Sequence, residues 1–132
     1  MNALSSIKLA LTLSVAAGLT ACVGFPQPFS QLYGSKYYKV PIDTYPVQIV
    51  SVDGRGTLNN PVFADPGLRQ VTVQGPPDGA HRYGEQRSIA LEVAPCTRYY
   101  LVAQKSSRLT SDFNVKVDYQ EPIGGCSTVA SK

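Results

Sequence analysis

Beyond residue 21 the chain carries all ten of its prolines and ten of its eleven glycines. Proline removes a backbone donor and clashes with the preceding helical turn, and glycine in a helix interior costs about 1 kcal/mol relative to alanine. That density excludes a helical bundle and predicts short strands joined by turns. The 111 residues from Cys22 onward can close one modest core but not two. Hydrophobic content of 43% and charged content of 16% exclude both a disordered polar chain and a multi-span membrane protein. In the same 111 residues 11 Lys+Arg face 9 Asp+Glu with no basic run, so nucleic acid is not expected as a partner.

Residues 1–21 read as an export signal. Lys8 and the terminal amine supply positive charge, and residues 9–19 form an uncharged apolar stretch. That stretch is too short to span a bilayer, which takes about 20 apolar residues. Leu19-Thr20-Ala21-Cys22 follows: an apolar residue, two small ones and a cysteine. This resembles the lipobox of bacterial lipoproteins. The resemblance implies cleavage before Cys22 and a diacylglyceryl group on its thiol, which holds the mature chain on the membrane with no transmembrane helix. Each buried CH₂ of an acyl chain contributes about 0.8 kcal/mol, and two chains suffice for stable anchoring. Val23, where the family's inner-membrane sorting signal has aspartate, implies the outer membrane in a diderm cell. The competing reading is an ordinary secreted protein in which Cys22 is unmodified.

Cysteine arithmetic favours the lipid. There are three cysteines, and acylation of Cys22 leaves Cys96 and Cys126 as an even pair in an oxidising compartment. The flexible segment 121–125 lets the tail fold back, and a bridge closing about 30 residues is worth roughly 3–4 kcal/mol in the chain-entropy model. Two reduced thiols or a metal pair are the alternatives, and no neighbouring Cys or His completes a zinc set.

Residues 22–40 show neither helical nor alternating period and read as a lipidated N-terminus and tether, leaving 41–132 as the β-domain. The tether is rich in aromatics. For Tyr37 and Tyr38, docking as a first edge strand, contact with lipid headgroups and contact with a partner all stay open. From there short β-branched runs recur: residues 46–52 up to the turn Asp53-Gly54, 62–64 up to Asp65-Pro66-Gly67, 68–74, and 89–93 after a Pro/Gly-rich loop at 75–86. In the last segment Phe113, Val115, Val117 and Tyr119 alternate with polar residues. Paired antiparallel with 97–104 about a loop near Arg108, Ala103 faces Phe113, Leu101 faces Val115 and Tyr99 faces Val117, with Arg98 opposite Asp118 on the other face. The run Asp65-Pro-Gly-Leu-Arg-Gln-Val-Thr-Val73 resembles the opening strand of PEGA-type and carboxypeptidase-regulatory-like modules. The resemblance implies a small antiparallel β-sandwich of transthyretin or immunoglobulin-like shape, and no activity.

Chemistry-bearing residues are few. His81 is the only histidine, in a loop with no nucleophile or base at catalytic spacing. Asp53, Asp65 and Asp78 each precede Gly or Pro, which is turn chemistry. No phosphate-cradling or metal-spaced motif occurs, so neither catalysis, cofactor nor metal is expected. Eight tyrosines and no tryptophan are the compositional oddity, because tyrosine suits protein interfaces and sugar stacking. Tyr100 and Val102 fall on the outward face of their strand and are the candidate contact surface, unless the tether covers them. The expectation is an outer-membrane-anchored lipoprotein serving as a structural or protein-interaction module, with a glycan- or peptidoglycan-binding lipoprotein or a small hydrolase inhibitor as alternatives.

Overall fold

The structure is a computed structural model that describes residues 28–35 and 41–126. The export signal, Cys22, Tyr37 and Tyr38 lie outside the described residues.

The described residues form nine strands: β1 (Ser30–Tyr33), β2 (Thr44–Pro46), β3 (Gln48–Val52), β4 (Arg55–Gly56), β5 (Val62–Ala64), β6 (Gly67–Gln74), β7 (Gln86–Val93), β8 (Thr97–Gln104) and β9 (Asn114–Pro122). They make a small β-sandwich. Sheet A holds β2, β8, β1 and β5 with β9 also on β8, and sheet B runs β4-β3-β6-β7. Every pairing is antiparallel except β1 with β8. β9 follows β8 from Thr97 to Gln104, so β1 and β2 share the opposite side, one at Arg98–Tyr100 and the other at Val102–Gln104.

Period-two patterning builds the core. Val71 and Val73 are buried while Thr72 and Gln74 are not, and from the facing sheet Leu32, Val62, Tyr99, Leu101 and Ala103 meet them in one cluster. Asp53 (φ 50°) and Gly54 (φ 76°) form the two-residue turn between Val52 and Arg55; two positive φ values mark the mirror-image turn that Asp-Gly favours. Asp65 and Pro66 carry the chain across from sheet A to sheet B rather than through a hairpin. Arg69 fastens that crossing, donating to the carbonyls of Asp65 (2.9 Å) and Pro66 (2.6 Å) and to the Asp53 carboxylate (3.1 Å). Cys96 and Cys126 are bridged, with Cα atoms 5.6 Å apart.

Two expectations are corrected. The first concerns the tether, because Ser30–Tyr33 is not a spacer: β1 lies between β8 and β5, and Ser30 and Leu32 are fully buried. The second is the register of the last hairpin. Ala103 faces Val115 and Leu101 faces Val117, two residues along from the expected pairing. Then Tyr100 faces Tyr119, so Asp118 is an extra, bulged residue. Arg98 consequently pairs with Glu121 and not with Asp118. Phe113 precedes the strand and packs its ring over Gly75, where an added Cβ would stand 2.5 Å from the ring. Its burial there gives Phe113 the apolar look of a strand residue without a place in the ladder.

Candidate functional site

Alternation in three strands sends a set of aromatic and charged side chains to the outer face of sheet A. In β1 Gln31 and Tyr33 alternate with buried Ser30 and Leu32; in β8 Arg98 and Tyr100 alternate with buried Tyr99 and Leu101. The bulge at Asp118 reverses the parity of β9, so Tyr119 sits opposite Tyr100 and Glu121 opposite Arg98. Phe63 of β5 faces Gln31. Two rows cross the sheet: Phe63, Gln31, Arg98 and Glu121, then Tyr33, Tyr100 and Tyr119.

The tyrosine row is a ladder. Tyr33 and Tyr100 stack at 5.1 Å between centroids and 19° between planes, and Tyr100 meets Tyr119 at 5.9 Å and 40°. The polar row is cross-linked beneath it. Arg98 donates Nε to Gln31 Oε1 (2.9 Å) and Nη1 to Glu121 Oε1 (3.3 Å), and the Tyr100 hydroxyl donates to the same Glu121 oxygen (2.9 Å). Burial, and next the hydrogen bond to Glu121, push the Tyr100 phenol above its ordinary range. The Glu121 hydrogen bond likewise raises Arg98, which therefore stays a cation. Phe29 packs edge-on against exposed Phe63 at 6.4 Å and extends the aromatic area. What results is a rigid, amphipathic wall. Both sides of the Tyr100 ring are taken by its neighbours, and the Tyr33 and Tyr100 hydroxyls are bonded within the wall, to Gln31 Oε1 and Glu121 Oε1.

Sequence reasoning located Tyr100 on this face but not its surroundings. Val102, the other half of the expected contact surface, is only 4% exposed and lies outside the core cluster. It is flanked by Pro46 of β2 and Lys116 of β9, so two neighbouring strands close over the position and it offers no surface. Tyr119 was expected on the core face and faces outward because of the bulge. Gln31, Tyr33, Phe63 and Glu121 were not singled out; the buried side of Ser-Gln-Leu-Tyr is made by a polar Ser30 and an apolar Leu32, so the segment carries no apolar-polar alternation to find.

Several of the remaining charged groups have local partners. The Asp78 carboxylate accepts from the amides of Ala80 (2.8 Å) and His81 (2.6 Å) and lies 3.2 Å from the His81 ring, and the His81 amide chiefly holds it below its ordinary pKa of 3.8. Asp53 and Asp65 border a cleft of about 430 Å³ between the β3–β4 hairpin and β5. Asp53 is engaged there by the Gln70 amide (2.8 Å) and by Arg69. Arg87 reaches Glu85 and Asp112 and lies over the Phe113 ring at 5.3 Å. Among the described residues no three His, Cys, Asp or Glu side chains converge as a metal site would require. No protein-family model, curated protein or solved structure matches this chain.

Proposed function

We propose that this chain is a lipoprotein of the bacterial outer membrane, anchored through Cys22, that works as a structural or interaction module and engages a protein partner through the tyrosine face of sheet A. The observation that carries the reading is the packing of Tyr33, Tyr100 and Tyr119. A sugar-stacking site needs an open ring face, whereas Tyr100 has an aromatic neighbour on each side. A prestacked row of amphipathic rings with a satisfied Arg98–Glu121 pair suits a protein surface, because little side-chain freedom is left to lose on binding.

Photocrosslinking groups at Phe63 and Tyr119 test the face in the intact envelope, with exposed Gln48 and Arg55 of sheet B, away from β7, as controls. Adducts from the first pair and none from the second are expected, reduced by Arg98→Glu. Adducts confined to the sheet B positions would overturn the assignment. The anchor is tested by intact mass of the membrane-extracted protein: a chain beginning at acylated Cys22 is expected, and a soluble product with a free Cys22 thiol would sink it.

A further inference from the structure

The sandwich has two long edge strands, and it treats them differently. β9 carries a bulge at Asp118, a lysine at 116 and a proline at 122, the devices by which proteins blunt an edge. The other outer strands are short: β5 and β2 have three residues each and β4 has two. β7 has none of these protections. Its eight residues pair with β6 without interruption from Gln86 to Val93, it contains neither Pro, Gly nor Lys, and among the described residues β6 is the only strand it pairs with. A regular, uncharged-centred edge of this length is a template for another strand.

We propose that β7 pairs antiparallel with β7 of a second copy of this chain, joining the two sheet B layers into one continuous eight-stranded sheet. The strand's own pattern points to a copy of itself. Ile89 and Leu91 pack toward the core, whereas Ser88, Ala90 and Glu92 are exposed. A two-fold pairing keeps core-facing residues beside core-facing residues only if a residue lies on the axis. With Ala90 there, Ile89 lies opposite Leu91 of the second copy and Ser88 opposite its Glu92. The axis then carries two small exposed alanines, which leave room for close approach. A two-fold axis normal to the sheet, which keeps both core faces on one side, makes that pairing antiparallel. This pairing is independent of the tyrosine face, which belongs to the other sheet.

The test uses the full chain purified in detergent. Ala90→Cys is expected to form a covalent dimer without reductant, with the bridge located at residue 90 by peptide mass, while Lys116→Cys on the β9 edge gives none. Light scattering is expected to show the wild type as a dimer, Ala90→Ser unchanged, and Ala90→Lys weakened at least about tenfold by two like charges face to face. A monomeric wild type at about 100 μM, a dimer indifferent to Ala90→Lys, or crosslinking through Lys116→Cys alone would overturn the proposal. If Ala90→Lys lost its fold by circular dichroism, the cysteine pair would decide.

Discussion

The Ser30 side chain is bonded to Thr97, 67 residues along the chain: its hydroxyl accepts the Thr97 amide at 3.0 Å while donating to the Ala94 carbonyl at 2.5 Å. It is fully buried, so it supplies for the corner between β7 and β8 what water supplies elsewhere. Ser30→Ala deprives both backbone groups of that partner and is expected to cost about 1–3 kcal/mol. The urea midpoint should fall with the m value unchanged.

Gly75 is required by the ring above it. A Cβ there would lie 2.5 Å from Phe113 Cε1, and Phe113 is buried and overlain by Arg87. Gly75→Ala is expected to destabilise by about 1–3 kcal/mol through overpacking. Combined with Phe113→Leu its penalty should shrink, which a double-mutant cycle reads directly as coupling between the two positions.

The Cys96–Cys126 bridge closes a separation of 30 residues. Replacing both cysteines with alanine is expected to remove about 3–4 kcal/mol. Reductant should lower the unfolding midpoint of the wild type to that of the double variant and leave the variant itself unmoved.

Asp53 and Asp78 set the acid limb. Asp53 lies below its ordinary 3.8 chiefly through the Gln70 amide and then through Arg69, and Asp78 through the His81 amide. A carboxyl depressed in the folded chain contributes its full stability above the unfolded value and loses it as pH falls through the folded one. Stability is therefore expected to hold above about pH 5 and to decline below about pH 4. Asp53→Asn should flatten that decline in unfolding titrations between those limits and pH 2.

Tyr100 sets a feature at the other end of the scale. Its phenol is raised above 10.0, first by burial and then by its bond to Glu121. The neutral form is the one the fold favours, so its contribution is complete below pH 10 and is lost as pH rises through the folded value. Phenolate absorbance should show one tyrosine titrating late. Tyr100→Phe should delete that step and Glu121→Gln should bring it earlier.

Much of this fold is written in short-range pattern. Strand period, the Asp53-Gly54 turn and the surplus of Pro and Gly over helix formers are all local properties, and they suffice for an all-β sandwich. The observed Cys96–Cys126 pairing is the one expected if Cys22 is reserved for lipid. What escapes is whatever depends on one residue more or less. Nothing in the alternation from Phe113 to Tyr119 announces that Asp118 will be bulged, yet that residue turns Tyr119 from the core to the outer face and hands Arg98 to Glu121. Phe113 reads as the first residue of its strand because burial against Gly75 asks for the same apolar side chain. β1 escapes for another reason. Four residues framed by Pro28 and Gly34 carry too little pattern to be seen, and their partners are supplied by strands far away in sequence. The tyrosine face inherits both difficulties, since one of its strands is β1 and another is bulged.

The parallel pairing of β1 with β8 also governs the order in which the chain can fold. Gln31 meets Arg98, so the earliest strand gains its second neighbour, after β5, only when most of the polypeptide exists. Non-local pairings of this kind close late. A chain threading through a membrane pore with its N-terminus leading would deliver Leu32 to the far side long before Tyr99 and Leu101 arrive to bury it. The sandwich therefore closes only once β8 has emerged, whichever compartment it folds in.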